Sequence, residues 1–517
     1  MVKLKVSGLL ILIFGNIFWV HSQTSLQELG LQKGLYPVGF KHYTIVDSSR
    51  TYSKFYDFST QKIARIIPIS IWYPAESVDR SEALNVLDYM RVLSQEEEWE
   101  HLPDDQILNW FYYSNTTENQ DHLEQITSAF AHAPFRKGTF PLIIYASSFQ
   151  ASSIENFALF EYLASHGFVV ISSPSRGTET RWFTGNLPME IETQARDVEF
   201  LLNEANKIPN ADLDKTALMG FSFAGLANIV VQNRNDRVKA VVSLDGTERY
   251  QYQLLDKSPF FSPDKLDVPY IHFAQKNIPD QVLKEDEIDP QLNTIFQLYD
   301  SLTRSEAYQL KMHNLSHSYF STLGVLFENR DVRQDKSDLE IMESYRLVSK
   351  YVLNFLSSTL QKDRTATEFL SINPIEHGIS ENLISFKSKV AEERAFTFQD
   401  FNDLASEQQY EGLVRLYESV VKEHPDFKIP EASLNQLALQ LVFNPKTSLQ
   451  GINLFLLGTQ LFPQSANLFD SLGEGYYYMG EQEQAIASFE KSLELYPDNQ
   501  NAINRLGELK KGRRKDF

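Results

Sequence analysis

The feature that most limits what this chain can fold into is an alternation that begins at Pro141. Short apolar runs (Leu142 to Ala146, Gly167 to Ser172, 216 to 219, Val238 to Leu244, Val268 to Ala274 and Ala307 to Met312) alternate with stretches of helical pattern. Helices are expected around Asn156 to Ser165, from about Glu190 to Glu204, from 224 to 233 and near 338 to 359. Continuous apolar runs of this length suit strands covered on both faces. The pattern therefore predicts an α/β fold with a doubly wound, mostly parallel sheet.

In such a sheet, reactive groups stand at the carboxyl ends of strands. The run Ala217-Leu218-Met219-Gly220-Phe221-Ser222-Phe223-Ala224-Gly225 places one serine on a turn between a strand and a helix. Small residues at Gly220 and Ala224 let the backbone fold tightly there, as a nucleophile on a sharp turn requires, although Ala224 stands where the usual G-x-S-x-G has glycine. Serine becomes nucleophilic only when an imidazole takes its proton, and the imidazole needs a carboxylate to hold its tautomer. Asp245, directly after the strand 238 to 244, is the candidate acid, and Asp280, beyond the next strand, is its rival. His272 lies inside an apolar run and reads as a packed core residue. His313 and His317 both follow the last strand. His317 is favoured because it sits further into the loop and directly precedes Ser318-Tyr319-Phe320, the start of a helix.

The remaining segments bound the domains. Residues 1–22 combine Lys3 and Lys5 with a short apolar run from Leu9 to Val20, the pattern of a secretory signal peptide rather than of a membrane span. The chain has no cysteine, so no disulfide or acylated cysteine is available, and a secreted or periplasmic location is expected. Before the alternation, Tyr43 to Asp47 and Ile66 to Pro74 read as an antiparallel pair at a sheet edge, with Pro68 favouring the edge. Residues 76–137 read as a mostly helical insertion with an exposed acidic stretch at Glu96 to Glu100 and an inward contact at Trp110-Phe111-Tyr112-Tyr113. It is either a lid or a side decoration. Residues 362–395, polar and weakly periodic with Pro374, read as a linker.

From 396 to 517 the pattern is helical and repetitive. Phe455 and Pro463 recur 34 residues later as Phe489 and Pro497, and Leu472, Gly473, Tyr476, Gly480 and Ala485 fill the intervening small and aromatic positions. A more degenerate unit surrounds Leu413, Tyr417, Val420 and Pro425. The spacing resembles tetratricopeptide repeats, which implies an all-α domain and a protein or peptide partner. The net charge of −20 argues against nucleic acid, which needs clustered Lys and Arg; the one basic cluster, Lys510 to Lys515, reads as a solvated helix end.

Gly220-Phe221-Ser222-Phe223-Ala224-Gly225, Asp245 and His317-Ser318-Tyr319-Phe320, with the opening Tyr36-Pro37-Val38-Gly39-Phe40 and Trp72-Tyr73-Pro74-Ala75, resemble the α/β-hydrolase superfamily. The branch they are similar to is that of platelet-activating-factor acetylhydrolase and dienelactone-hydrolase-like esterases, over about residues 35 to 360 of a domain taken as 23–361. The resemblance implies a serine esterase acting on short acyl or acetyl esters. Ser222 would be nucleophile, Asp245 acid and His317 base, with no metal or organic cofactor. Where that branch has His-Gly after its oxyanion strand, this chain has Ala146-Ser147-Ser148-Phe149-Gln150. The backbone N–H groups of Phe223 and Phe149 are the expected oxyanion donors, with Ser148 constraining the loop. That departure keeps an alternative open: a catalytically degenerate hydrolase acting as a binding or scaffold module.

Overall fold

The computed structural model describes residues 24–54, 61–78, 81–97, 102–329, 335–392 and 395–512. The expected signal peptide and most of the terminal basic cluster lie outside these residues. Among the described residues, no helix is long and apolar enough to cross a membrane. The chain divides into two compact units, Met1–Glu392 and Glu393–Phe517.

The first unit is built on a mixed sheet. Its strands are β1 (Val38–Tyr52), β2 (Ile63–Pro74), β3 (Ala83–Asn85), β4 (Ile126–Ala131), β5 (Phe140–Ala146), β6 (Val169–Ser173), β7 (Ala211–Phe221), β8 (Val238–Leu244), β9 (Tyr270–Ala274), β10 (Ala307–Met312) and β11 (Ile384–Lys389). Their order is β11-β10-β9-β8-β7-β5-β6-β2-β1-β4-β3. The run from β6 through β5, β7, β8 and β9 to β10 is parallel throughout. Alternate residues of each central strand feed opposite cores. Ile143, Tyr145, Met219 and Val242 pack on one face, with the helices Phe157–Ser165 and Asp338–Leu356. Leu142, Ile144, Leu218 and Val241 pack on the other, with Leu187–Glu204 and Ala224–Gln232. A sheet covered on both faces buries every position of its inner strands, which is why the sequence shows continuous apolar runs rather than alternation.

The strand order reverses at β5, whose neighbours are β6 on one side and β7 on the other. Such a reversal opens a crevice at the carboxyl ends of the strands. The serine turn after β7 and the loop after β5 flank it.

Three expectations are corrected. The antiparallel pair β1 and β2 forms, but it is internal: β2 continues onto β6 through Ser70 to Trp72, and β1 continues onto β4. Pro68 is tolerated because it faces Thr44 of β1 and lies outside the short segment paired with β6. The insertion is helical only in part, since its β3 and β4 extend the sheet. Its acidic stretch is not all exposed. Glu96 and Glu97 are buried, Glu96 accepting from the Ser153 N–H at 3.0 Å and Glu97 pairing with Arg181, so these carboxylates pin the insertion to the sheet unit. Finally, 362–395 is not a linker. It contains the helix Arg364–Ser371, which buries Ala366 and Leu370, and β11, which pairs antiparallel with β10 from Ala307↔Lys389 to Met312↔Ile384. Both elements are too short for periodicity to stand out.

The second unit is all helical: Phe398–Glu407, Leu413–Glu423, Glu431–Val442, Ser448–Leu461, Ala466–Met479, Gln482–Leu495 and Gln500–Gly512. Glycine appears where helices touch. A Cβ on Gly473 would stand 2.7 Å from the Phe489 ring, and one on Gly458 would stand 2.6 Å from Leu434. Phe455 and Phe489, equivalent in the 34-residue spacing, are both fully buried.

Candidate active site

Ser222 directly follows β7 and sits in the left-handed region, at φ 56°. A non-glycine residue there is strained and persists only where its surroundings fix it. Here they do: the Ser222 N–H donates to the Leu244 carbonyl at 3.1 Å, and its carbonyl accepts from the N–H of Gly225 at 3.0 Å and of Thr247 at 2.8 Å. The turn is therefore tied to the end of β8 as well as to its own helix. The small neighbours are needed for space. A Cβ on Gly220 would stand 2.8 Å from the Ala224 Cβ, and one on Gly225 would stand 1.8 Å from Glu248 Oε2.

Three of the sequence candidates meet at this turn. The Ser222 hydroxyl donates to His317 Nε2 at 2.8 Å, and His317 Nδ1–H donates to Asp245 Oδ2 at 2.6 Å. The imidazole packs on the Phe221 ring at 4.9 Å. Asp245 is fully buried and, like Ser222, left-handed, at φ 41°. Its second oxygen accepts from the Tyr250 hydroxyl and from the Gln275 N–H, each at 3.0 Å. Burial alone would raise its pKa. The hydrogen bond and charge of His317, the Arg249 guanidinium and the Gln275 amide outweigh that and hold it below the ordinary carboxylate value.

The rivals lie elsewhere. Asp280 starts the exposed end of the helix Asp280–Glu285. His313 bonds Ser385 Oγ at 2.8 Å, on the β11 side. His272 is buried in β9, where Nδ1 is 3.0 Å from Ser243 Oγ and 3.2 Å from Glu248.

The loop after β5 is anchored in a way the sequence did not reveal. Glu155 is buried; its Oε1 accepts from the Ser148 N–H and the Tyr145 hydroxyl, each at 2.8 Å, and its Oε2 from the Ser148 hydroxyl at 2.6 Å. The serine that stands where glycine is usual thus supplies two of the bonds that fix the loop. Burial pushes Glu155 up to about 7, against the pull of those donors and of His317. The next residue, Phe149, packs edge-on to Phe223 at 5.9 Å, and both touch Phe183, at 4.4 and 5.2 Å. Among the described residues, neither the Phe149 nor the Phe223 N–H is spent on a protein acceptor. Phe223 directly follows Ser222 and Phe149 lines the same cavity, so both N–H groups remain candidate donors for an oxyanion there.

Ser222 and His317 open into a cavity of about 490 Å3, whose walls include Trp182, Trp110 and Tyr113. The last two belong to the insertion, so it forms one wall of the site. Arg181 reaches the same cavity and lies over the Trp182 ring at 4.1 Å. Sequence reasoning missed Glu155, Tyr250, Gln275 and Arg181. Glu155 falls seven residues after Ser148, with no motif to mark it.

No family model matches the chain, and no curated protein does. Among solved structures, the chain is similar to a ferulic acid esterase from Streptomyces cinnamoneus at 19% identity and a TM-score of 0.47, over 68% of this chain and 96% of that one.

Proposed function

We propose that the first unit is a serine hydrolase of carboxylic esters, of the α/β-hydrolase kind, with Ser222 as nucleophile, His317 as general base and acid, and Asp245 as the acid that orients it. The observation that carries this reading is the unbroken chain Ser222 Oγ, His317 Nε2, His317 Nδ1, Asp245 Oδ2, at 2.8 and 2.6 Å, on a serine held at φ 56°. In this reading His317 Nε2 takes the hydroxyl proton as Oγ attacks the ester carbon. The carbonyl oxygen becomes an oxyanion facing the Phe149 and Phe223 N–H groups. The bond to the leaving alcohol then breaks, and His317 returns the proton to the alcohol oxygen. Water repeats the sequence to free the acid and restore Ser222. Two preorganised donors supply a large share of the rate, each worth about 10² to 10³ in turnover.

Short acyl or acetyl esters, the substrates of the platelet-activating-factor acetylhydrolase and dienelactone-hydrolase-like branch, are the first class to test. We place the protein in the periplasm or outside the cell, with the helical unit read as tetratricopeptide-like and recruiting a protein or peptide. The hydrolase reading is tested with p-nitrophenyl acetate: turnover by the purified chain that falls at least a thousandfold in both Ser222→Ala and His317→Ala supports it. Turnover unchanged in Ser222→Ala rejects it. No turnover in the wild type favours the degenerate binding module.

A further inference from the structure

A serine, an imidazole and a carboxylate need no further charge, yet the structure holds one against them. Beyond β8 the chain passes Gly246 into the short helical turn Thr247–Arg249, and the four-residue spacing brings Arg249 back to Asp245. Both side chains are buried, at 1% and 0% exposure, with Arg249 Nη1 3.8 Å from Asp245 Oδ1. The guanidinium is fixed there. Its Nε and Nη2 donate to the Leu292 carbonyl at 3.0 and 2.7 Å, and its central carbon lies 4.2 Å from the centre of the Phe296 ring. Nη1 donates to the Tyr250 hydroxyl at 3.2 Å, and that hydroxyl in turn donates to Asp245 Oδ1 at 3.0 Å. Arg249 therefore acts on the carboxylate twice, through space and through a tyrosine polarised by a cationic donor.

The two carboxylate oxygens serve different partners. Oδ2 faces His317, and Oδ1 faces the tyrosine and the guanidinium. Arginine is a permanent cation, so part of the carboxylate's charge is countered before His317 takes a proton. An imidazolium at His317 gains less from Asp245 than it would from an unopposed carboxylate, and it meets a second positive charge behind it. The cost falls on the protonated form of the base, which cannot accept the Ser222 proton.

Other charges surround the pair. Glu155, raised by burial to about 7, acts on the imidazole from the loop after β5. Glu328, Asp286 and Lys276, the last paired with Asp335, stand in the walls around His317, and Arg181, paired with Glu97, stands across the first cavity. Glu248, next to Arg249 in the chain, is paired with His272. Lys311 on β10 senses the guanidinium as well: burial first and Arg249 next lower it to about 8. Among the described residues, the ion-pair partners of Asp245 are His317 and Arg249 alone.

We propose that Arg249 is a positioning residue of the reaction, acting through Asp245 and Tyr250 to keep the His317 base unprotonated further into acid than Ser222, His317 and Asp245 would by themselves. The proposal rests on the hydrolase reading for its kinetic arm only.

The test measures kcat/KM on p-nitrophenyl acetate across the acid limb in wild type, Arg249→Gln, Arg249→Met and Arg249→Lys, each also in the Glu155→Gln background so that the titration of Glu155 is removed. The midpoint of the limb is expected to rise by at least about 0.5 pH unit in the two neutral variants and to stay within about 0.2 unit of wild type in Arg249→Lys. A purely structural role would lower the plateau and leave the midpoint in place, and that result overturns the proposal. So does a lysine variant that shifts as far as the neutral ones. The second arm needs no turnover: the low-field proton resonance of His317 Nδ1–H, identified by its loss in His317→Ala, is followed over the same pH range. Its midpoint should rise by the same amount in Arg249→Gln. If wild type turns over no ester, the hydrolase reading fails and this resonance decides alone: a rise supports the role of Arg249, and an unmoved midpoint overturns it. Should both neutral variants fail to fold while Arg249→Lys folds, the charge serves stability and the proposal falls.

Discussion

Replacing Glu155 by glutamine keeps its shape and removes one ionisation from beneath the loop after β5. The group is 5% exposed, and its folded pKa is raised from 4.5 to about 7, first by burial. A carboxyl with a raised folded pKa binds its proton more tightly in the folded state. Its contribution to stability is fully present below pH 4.5 and is lost as pH rises to about 7. Each pKa unit corresponds to 1.36 kcal/mol, so the loss across that window is about 3 kcal/mol. Glutamine has no such dependence. The stability of Glu155→Gln relative to wild type should therefore improve by about 3 kcal/mol between pH 4.5 and pH 8. All five tryptophans, at 19, 72, 99, 110 and 182, precede the helical unit, so urea denaturation followed by tryptophan fluorescence reports the sheet unit selectively. A difference that stays within about 1 kcal/mol from pH 4.5 to pH 8 would refute the reasoning. Glu155→Ala goes further and leaves Ser148 unanchored; kcat should fall by about tenfold to a hundredfold with a smaller change in KM, because a displaced Phe149 N–H is lost chiefly in the transition state.

Other perturbations probe separate parts of the molecule. Tyr250→Phe removes one hydroxyl donor from Asp245 and should lower kcat about three- to tenfold, measured on p-nitrophenyl acetate, for the loss of about 1 kcal/mol of hydrogen bonding. Gly225→Ala drives a Cβ to 1.8 Å from Glu248 Oε2 and 3.0 Å from the Gly246 Cα, so it should destabilise the sheet unit by about 1–3 kcal/mol in the fluorescence assay. In the helical unit, Gly473→Val places branched carbon against the Phe489 ring, which a Cβ alone would meet at 2.7 Å. Far-UV circular dichroism should show its helices melting earlier, by about 1–3 kcal/mol.

What could be read from the sequence divides along a physical line. Ser222 and Asp245 were legible because each directly follows a strand of continuous apolar residues, and strand ends are where a parallel sheet presents side chains. His317 needed only order along the chain and a loop after the last parallel strand. The supports of those residues were not legible, because they are tertiary. Tyr250 reaches Asp245 from a neighbouring short turn, and Glu155 meets Ser148 only after the loop folds back on the helix start. Charge misled for the same reason. Glu96 and Glu97 look solvated in sequence, yet partners on distant segments, Ser153 and Arg181, allow their burial. Length misled at β11, six residues that find their place only beside β10. Glycines of the helical unit were readable because a close helix contact demands a small residue wherever the rest of the chain lies.

The central claim is that Ser222 is a nucleophile activated by His317 and Asp245. Incubation with a fluorophosphonate, followed by digestion and mass spectrometry, tests it most directly. The account predicts one stoichiometric adduct on the peptide containing Ser222, forming at least a hundredfold more slowly in His317→Ala. An adduct on another serine, or labelling at Ser222 that is indifferent to His317, would contradict it.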